Sequence, residues 1–335
     1  MRSTESALDW RRAALLAAVA LVVYNANFRA ISAGDCFPAR FLPFAIWGSG
    51  TLSIEPIADV VRVDRENPFW IVGSDLGGRV SMYPIVTPVL VTPLYAPAAA
   101  YLRWTGWRTS DLIVVGEVME KLAASFVAAL VVGLAYLLFR RGAPRREATW
   151  LAVALAFGTG TWVTSSQALW QHGIAELLVV LALLLVTGTS RDGKRLFALG
   201  VICGLLAANR PPDAALAAGF GAAVLILEPR RAWIALVGAL AAYAPFAAYN
   251  WVHFHDLGGG YAAAFKAKFG SVSGFFPNSV WEGLFGIFFS PGKGLFVFCP
   301  FLLFLVLAAR RSVRERFDPR VAVPLLGGVV LQLFL

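Results

Sequence analysis

Residues 111–139 read DLIVVGEVMEKLAASFVAALVVGLAYLLF, a long apolar run that is interrupted, after its first residue, only by Glu117, Glu120 and Lys121. A helix needs about 20 apolar residues to cross a bilayer, so this run predicts a membrane-spanning helix. Charged side chains inside a span rarely face lipid, and we expect these three to line a bundle interior or a cavity. An i, i+4 pair of Glu117 with Lys121 and a substrate-binding role for Lys121 both remain open.

The composition extends this prediction to the whole chain. Apolar residues make up 59% and charged residues 15%, and the mean hydropathy is +0.69. A soluble protein of this length could not bury so much apolar surface. The net charge of +9 comes largely from short basic clusters between apolar runs, which is typical of membrane topology and not of a nucleic-acid partner. The candidate spans are 12–31, 111–139, 148–168, 173–190, 195–210, 213–228, 232–251, 291–309 and 321–335.

The basic clusters predict which loops are cytoplasmic, because Lys and Arg accumulate there. The proline-rich stretch 84–102 is doubtful as a span and suits a broken or interfacial segment. If it does not cross, 17 of the 29 basic residues fall in short segments on one side together with the N-terminus. These segments are Arg2/Arg11/Arg12, Arg140/Arg141/Arg145/Arg146, Arg191/Lys194/Arg195, Arg230/Arg231 and Arg310/Arg311/Arg314/Arg316/Arg320.

We therefore predict an all-α polytopic membrane protein with about nine transmembrane helices, forming one domain over residues 1–335. The N-terminus is cytoplasmic. Two long outer loops, 32–110 and 252–290, face the other side of the membrane. The stretch from Arg40 to Trp47 is aromatic and apolar and predicts a short helix lying in the headgroup layer. The last run stops at Leu335 without a loop after it, which leaves open that the chain is a fragment of a longer protein.

Asp35 follows the first span, in the sequence Gly34-Asp35-Cys36-Phe37-Pro38. A carboxylate at the mouth of a membrane helix is either exposed to water and idle, or paired and functional. It is a candidate catalytic group on the outer face. The alternative is that it caps a helix or pairs with Arg29 or Arg40, and the residues alone favour neither reading.

Two further candidates lie in outer turns. His172 could donate a hydrogen bond to a phosphate or act as acid or base, and it could equally be an interfacial histidine beside Trp170. Arg210 lies at the tip of a hairpin of two short helices, where a guanidinium makes a good bidentate phosphate ligand. An ion pair of Arg210 with Asp213 is the competing structural reading.

Two local motifs remain. The stretch from Ser290 to Gly294 has the residues of a helix N-terminus, which favours anions, and makes Lys293 a candidate phosphate ligand. It lacks the spacing of a P-loop. The cluster from His253 to Asp256 resembles a metal site, but no Cys or Glu joins it nearby, and we predict no metal ligands there. A divalent cation as cofactor is left open.

Taken together, these segments resemble the GT-C superfamily of integral-membrane glycosyltransferases, in particular the branch of bacterial protein O-mannosyltransferases and aminoarabinose transferases. The similarity depends on the order and sidedness of short motifs and covers most of the chain. The matching motifs are Asp35 with Arg40, Tyr83-Pro84-Ile85, Lys121, Ser166-Gln167-Ala168-Leu169-Trp170-Gln171-His172, Gly204-Leu205 with Arg210-Pro211, and Gly283 to Leu295. Many members have Asp-Glu where this chain has Asp35-Cys36, more spans, and a C-terminal outer domain.

The resemblance implies transfer of a sugar from a polyprenyl-phosphate donor to a lipid, glycan or protein acceptor, on the outer face of a bacterial plasma membrane. Asp35 would be the general base in an inverting displacement. Cations would stabilise the leaving phosphate, with Arg210, Lys293, Lys121 and His172 as candidates in that order and Arg40 beside them. A ligase that uses a lipid-diphosphate donor is a close alternative. A transporter or flippase for a lipid-linked saccharide and a non-catalytic membrane scaffold are the other classes kept open.

Overall fold

A computed structural model of the chain describes residues 2–59, 70–269, 279–292, 294–309 and 318–334. The described residues are predominantly helical, with one two-stranded sheet. The α-helices are α1 Arg2–Asn25, α2 Phe37–Ser49, α3 Val86–Val91, α4 Ala96–Thr105, α5 Thr109–Phe139, α6 Arg145–Gly158, α7 Gln171–Val186, α8 Gly193–Asn209, α9 Ala214–Leu227, α10 Ala232–Phe254, α11 Gly259–Phe269, α12 Val280–Phe289, α13 Leu295–Phe298 and α14 Pro319–Gln332. Strands β1 Ile71–Gly73 and β2 Arg79–Ser81 pair antiparallel.

Two of the described helices, α5 and α10, are long and apolar enough to cross a membrane by length and composition. Both coincide with predicted spans. Four other apolar segments form shorter helices, at Gln171–Val186, Pro211–Leu227, Val280–Phe289 and Pro319–Gln332. The helical class of the fold is therefore confirmed within the described residues.

Helix α5 is the centre of the packing. Its buried face carries mainly Ala, Val and Gly side chains, and α1, α2, α6 and α7 pack against it. Gly133 lies against α1, since a Cβ at this glycine would be 3.0 Å from the Ala13 carbonyl oxygen. Close contact of helix backbones requires small residues at the interface.

Helices α8 and α10 approach even more closely. A Cβ added at Gly200 or Gly204 of α8 would overlap the carbonyl oxygens of Ala235 or Ala239 in α10, and one added at Gly238 of α10 would overlap the Phe197 carbonyl oxygen. The spacing of Gly200 and Gly204 is the GxxxG pattern that lets two helix backbones touch. The contact between α8 and α10 holds the end of α8 in place, and with it Arg210, which follows α8 directly.

The short helix predicted from the stretch Arg40 to Trp47 exists, as α2, and it is buried within the protein. Every residue from Phe37 to Ala45 is buried, and Trp47 donates from Nε1 to the Thr92 carbonyl oxygen at 2.8 Å. The helix is a core element because residues 86–105 cover it. That stretch is helical but interrupted by a 3-10 turn at Thr92–Tyr95, in agreement with the prediction of a broken segment over 84–102.

Two other predicted spans differ from the structure. The run 148–168 is not one helix, because α6 ends at Gly158 and a π-helical turn follows at Thr161–Ser165. The run 291–309 contains the four-residue helix α13 and a 3-10 helix, Pro300–Ala309. The α-helix predicted to open at Ser290 begins instead at Leu295, with Gly294 as its N-cap, and is a single turn long.

The two loops predicted to be outer loops contact each other. Ser74 Oγ in the β1–β2 turn lies 2.7 Å from His253 Nδ1, and the Asp75 N–H donates to the His253 carbonyl oxygen at 3.2 Å. The rings of Tyr83 and Tyr261 stack with their centroids 5.8 Å apart. Both loops therefore lie at the same end of the helix bundle.

Candidate functional site

Asp35 lies in a 3-10 turn, Gly34–Cys36, between α1 and α2. Its neighbours Gly34 and Cys36 are buried, while Asp35 itself is half-buried. No hydrogen bond or ion pair holds its carboxylate among the residues that the structure describes. The predicted pairing of Asp35 with Arg29 or Arg40 is thus absent there, and the carboxylate is available to a ligand.

The charge of Asp35 acts on two side chains from distant parts of the chain, and each of these interacts with a further residue. The Asp35 carboxylate raises the pKa of Tyr83 and opposes the lowering of the pKa of His172, on which Arg210 also acts. Tyr261 reaches the group through its stack on Tyr83. We call Asp35, Tyr83, His172, Arg210 and Tyr261 the Asp35 cluster. Three of the predicted site residues are linked in this way, since the charges of Asp35 and Arg210 both act on His172.

His172 lies just outside the predicted span 173–190 and is half-buried beside Trp170, with ring centroids 6.3 Å apart. Burial, and then the Arg210 guanidinium, lower the pKa of His172 to about 4. The imidazole is therefore neutral near pH 7, so that one ring nitrogen donates a hydrogen bond and the other accepts one. It does not supply a positive charge to a phosphate at that pH.

Tyr83 is the second neutral group of the cluster. Burial, and then the charge of Asp35, raise its pKa to about 12. Its hydroxyl therefore keeps its proton at physiological pH. A protonated phenol close to a carboxylate can donate a hydrogen bond to a bound sugar or phosphate oxygen.

Arg210 follows α8 directly and is 26% exposed. Its Nη1 lies 3.2 Å from Asp213 Oδ1, which is the competing ion pair expected from the sequence. Asp213 also accepts a hydrogen bond from Gln332 Nε2 at 2.6 Å. A guanidinium has five N–H donors, so this single contact leaves donors of Arg210 for an anion.

The buried side-chain amide of Asn209 positions the helices that carry residues of the Asp35 cluster. Asn209 Oδ1 accepts from Thr87 Oγ1 at 2.7 Å, and Asn209 Nδ2 donates to the Gln171 carbonyl oxygen at 2.9 Å. Asn209 precedes Arg210, and Gln171 precedes His172. One fully buried side chain thus fixes α3, α7 and α8 relative to one another at this end of the bundle.

Lys121 lies in the protein interior and is engaged with the segment before α7. Its Nζ donates to Gln167 Oε1 at 2.6 Å and contacts the Ser166 carbonyl oxygen at 3.4 Å. Gln167 Oε1 also accepts from Asn27 Nδ2 at 2.8 Å. The expected Glu117–Lys121 pair is not formed, because Glu117 faces Arg40 instead.

Arg40 is 2% exposed and paired inside the core. Its Nη2 lies 2.7 Å from Glu120 Oε2 and donates to Ser32 Oγ at 2.6 Å. Its Nη1 lies 3.5 Å from Glu117 Oε1. The guanidinium joins α2 to α5, and its donors are directed at these partners and not into the Asp35 cluster.

The remaining predicted features fall elsewhere. Lys293 lies outside the described residues. His253 contacts Ser74, and His255 Nδ1 lies 2.6 Å from Asp75 Oδ2, so the two rings pair with different residues of one turn. Among the described residues, no group of three or more His, Cys, Asp or Glu side chains is arranged to hold a metal ion.

Sequence reasoning missed the role of Asn209 and of Gln167, which hold the site together. Both are single amides at the ends of apolar runs, and that was the available signal. Cys36, at the position where many GT-C members have a second carboxylate, is fully buried, and burial raises the pKa of its thiol. It therefore stays neutral and does not replace that carboxylate.

No protein-family model, no curated protein and no solved structure matches this chain.

Proposed function

We propose that the chain is a polytopic membrane glycosyltransferase of GT-C type, which transfers a sugar from a polyprenyl-phosphate donor to an acceptor at the Asp35 cluster. The observation that carries the proposal is the state of Asp35. It is a half-buried carboxylate without a partner among the described residues, and its charge acts on a neutral histidine, on which Arg210 also acts, and on a protonated tyrosine.

Exposed apolar side chains on the helices support the proposal that the chain spans a membrane. Helix α10 meets the length and hydropathy criteria for a span, yet only 11% of that apolar window is buried. Trp233, Leu236 and Leu240 are more than half exposed on it. A core helix of a soluble protein would bury these side chains, and a face of this size in water would aggregate. Lipid is the environment that suits it.

The close helix contacts support the same environment. Apolar side chains gain little from packing against one another when lipid is the alternative, so membrane helices associate through small residues. Gly200, Gly204 and Gly238 make such a contact between α8 and α10, and Gly219 and Gly328 make another between α9 and α14.

In the proposed reaction the acceptor hydroxyl binds beside Asp35. The Asp35 carboxylate takes the hydroxyl proton while the acceptor oxygen forms a bond to the anomeric carbon of the donor. The bond from that carbon to the phosphate oxygen breaks, and polyprenyl phosphate leaves with the electron pair. Attack opposite to the leaving group inverts the anomeric centre.

The leaving phosphate needs positive charge or hydrogen-bond donors close by. Arg210 is the cation of the cluster and has donors beyond its contact with Asp213. His172 and Tyr83 add neutral donors. Lys121 and Arg40 are engaged in the core, and we assign them positioning roles: they hold the 166–172 segment and α2 against α5.

The decisive experiment compares Asp35→Asn with Asp59→Asn in membranes. Asp59 lies in the same loop, and its carboxylate is 87% exposed. With a radiolabelled polyprenyl-phosphate sugar as donor, we expect Asp35→Asn to reduce transfer by about 10²-fold or more, since general base catalysis contributes that much. Asp59→Asn should retain wild-type transfer. Undiminished transfer by Asp35→Asn would remove Asp35 as the base.

A second measurement separates an enzyme from a transporter. Arg210→Gln should raise the donor concentration needed for half-maximal transfer and leave that of the acceptor unchanged. A transporter or flippase would instead move the lipid-linked saccharide across vesicles without forming a new glycosidic bond. Translocation without product would replace the transferase proposal.

A further inference from the structure

A cavity of about 550 Å³ lies at the opposite end of the bundle from the Asp35 cluster. It is formed where α1, the end of α5, the end of α7 and the start of α8 meet. Arg195, which lines the cavity, is near the start of α8, and Arg210 of the Asp35 cluster follows its end 15 residues later, which corresponds to about 22 Å at 1.5 Å per residue. The cavity is therefore a separate place, remote from the proposed chemistry.

The charged side chains that line this cavity are mostly positive. Three arginines and one aspartate contribute to it: Arg140, Arg141, Arg195 and Asp9. Asp9 Oδ1 is already shared between Arg140 Nε at 3.2 Å and Arg145 Nε at 2.8 Å, and the Tyr136 hydroxyl donates to it at 3.3 Å. This carboxylate therefore does not neutralise the other two arginines.

Arg141 and Arg195 both line the cavity, and neither forms an ion pair with an acidic side chain among the described residues. Asp192 accepts a hydrogen bond from the Arg195 backbone N–H, and the charge of Arg195 helps to lower the pKa of Asp192. Arg141 Nη1 donates to the Leu184 carbonyl oxygen at 2.7 Å and to Thr187 Oγ1 at 2.6 Å, which holds the guanidinium at the end of α7. The side chain of Arg195 makes no hydrogen bond or ion pair with a described residue. The surrounding protein, and then Arg195, lower the pKa of Arg141. An anion between the two would relieve this repulsion.

We propose that this cavity binds a phosphate group, with Arg195 and Arg141 as its ligands. A guanidinium presents paired donors that match phosphate oxygens, and Arg195 has all of its donors free. Two sources could supply the group, an anionic phospholipid headgroup and a soluble phosphate compound.

The rest of the lining favours the lipid source. Leu134, Leu137, Leu184 and Leu185 give the cavity an apolar wall beside the cations. Trp10 also lines it and is 58% exposed, which is typical of a side chain at headgroup level. Basic pockets between transmembrane helices on the cytoplasmic side are suited to anionic headgroups. The assignment of the phosphate to a lipid headgroup rests on the proposal that the chain spans a membrane. It does not require that the chain transfers a sugar.

The test is native mass spectrometry of the detergent-solubilised chain with three probes: dioleoyl-phosphatidylglycerol, dioleoyl-phosphatidylcholine and inorganic phosphate. We expect phosphatidylglycerol to bind more tightly than phosphatidylcholine. Arg195→Gln should weaken it by about tenfold, since a charge-assisted hydrogen bond is lost. Arg195→Glu should abolish the preference, because the new carboxylate would pair with Arg141.

The matched control is Arg146→Gln, which removes the same charge from an exposed arginine that does not line the cavity. It should leave the lipid preference unchanged. Arg195-dependent binding of inorganic phosphate alone would support the site and assign it to a soluble phosphate compound. Equal lipid binding by wild type and both Arg195 variants would overturn the proposal, whatever the result for sugar transfer.

Discussion

Thr87 Oγ1 and Asn209 Oδ1 lie 2.7 Å apart although 122 residues separate them in the chain. The same amide donates to the Gln171 carbonyl oxygen. Arg210 and His172 thus follow two residues that share one buried side chain. The geometry of the Asp35 cluster is set by this amide as much as by the residues that would touch a substrate.

Asn209→Ala should destabilise the protein by about 1–3 kcal/mol, because it removes two hydrogen bonds and leaves the buried Thr87 hydroxyl unpaired. Thermal unfolding in detergent measures the loss. Asn250→Ala is the control, since Asn250 also donates to a carbonyl oxygen, that of Leu257, but at an exposed position. An equally large loss in the control would mean that burial of Asn209 is not what matters.

Gly204→Ala should destabilise the protein by roughly 1–3 kcal/mol, because the added Cβ overlaps the Ala239 carbonyl oxygen and forces α8 and α10 apart. Gly221→Ala is the matched control in α9, where an added Cβ meets nothing within 4 Å. That change should be neutral or stabilise by up to about 1 kcal/mol through helix propensity. Thermal unfolding of the two variants side by side distinguishes close contact from a general effect of glycine loss.

His172 should make stability depend on pH. Its pKa is about 4 in the folded protein, against an ordinary value of 6.5. Between these values the unfolded chain takes up a proton that the folded protein does not, so stability falls as the pH drops through this window. His172→Gln should lose less stability than wild type between about pH 7 and about pH 4.5. Parallel pH profiles for His172→Gln and wild type would contradict the prediction.

Cysteine labelling tests sidedness. The native cysteines, Cys36, Cys203 and Cys299, are all buried and can be replaced to give a cysteine-free background. In intact cells an impermeant maleimide should label Asp75→Cys and His255→Cys, because the two loops contact each other and the proposed topology puts both on the outer face. Arg146→Cys should react only after permeabilisation. Labelling of all three positions from one side would contradict the proposed topology.

The sequence predicted where the long helices lie better than it predicted what their side chains contact. The apolar runs 111–139 and 232–251 correspond to α5 and α10 within a few residues, because length and hydropathy alone define such helices. The run 148–168 was predicted as one helix although Gly158 and Gly160 lie at the point where it breaks. The low helix propensity of these two glycines is a weak signal when they lie within a long apolar run.

Which polar side chains pair with each other inside the protein could not be predicted from the sequence. Asp35 was the acidic partner considered for Arg40, and only the packing of α2 against α5 brings Glu120 to it instead. That selection leaves Asp35 without an internal partner, which is the basis of its proposed role. The amides of Asn209 and Gln167 were missed for the same reason, since their partners lie on segments distant in sequence.

The contact between α8 and α10 also bears on biogenesis. These two helices are separated in the chain by α9, so their glycine-lined interface can form only after Ala239 has been synthesised. Until then the helix that precedes Arg210 lacks this contact. During synthesis from the N-terminus the helices α1 to α7 can associate earlier, and the donor side of the proposed site is therefore completed late in assembly.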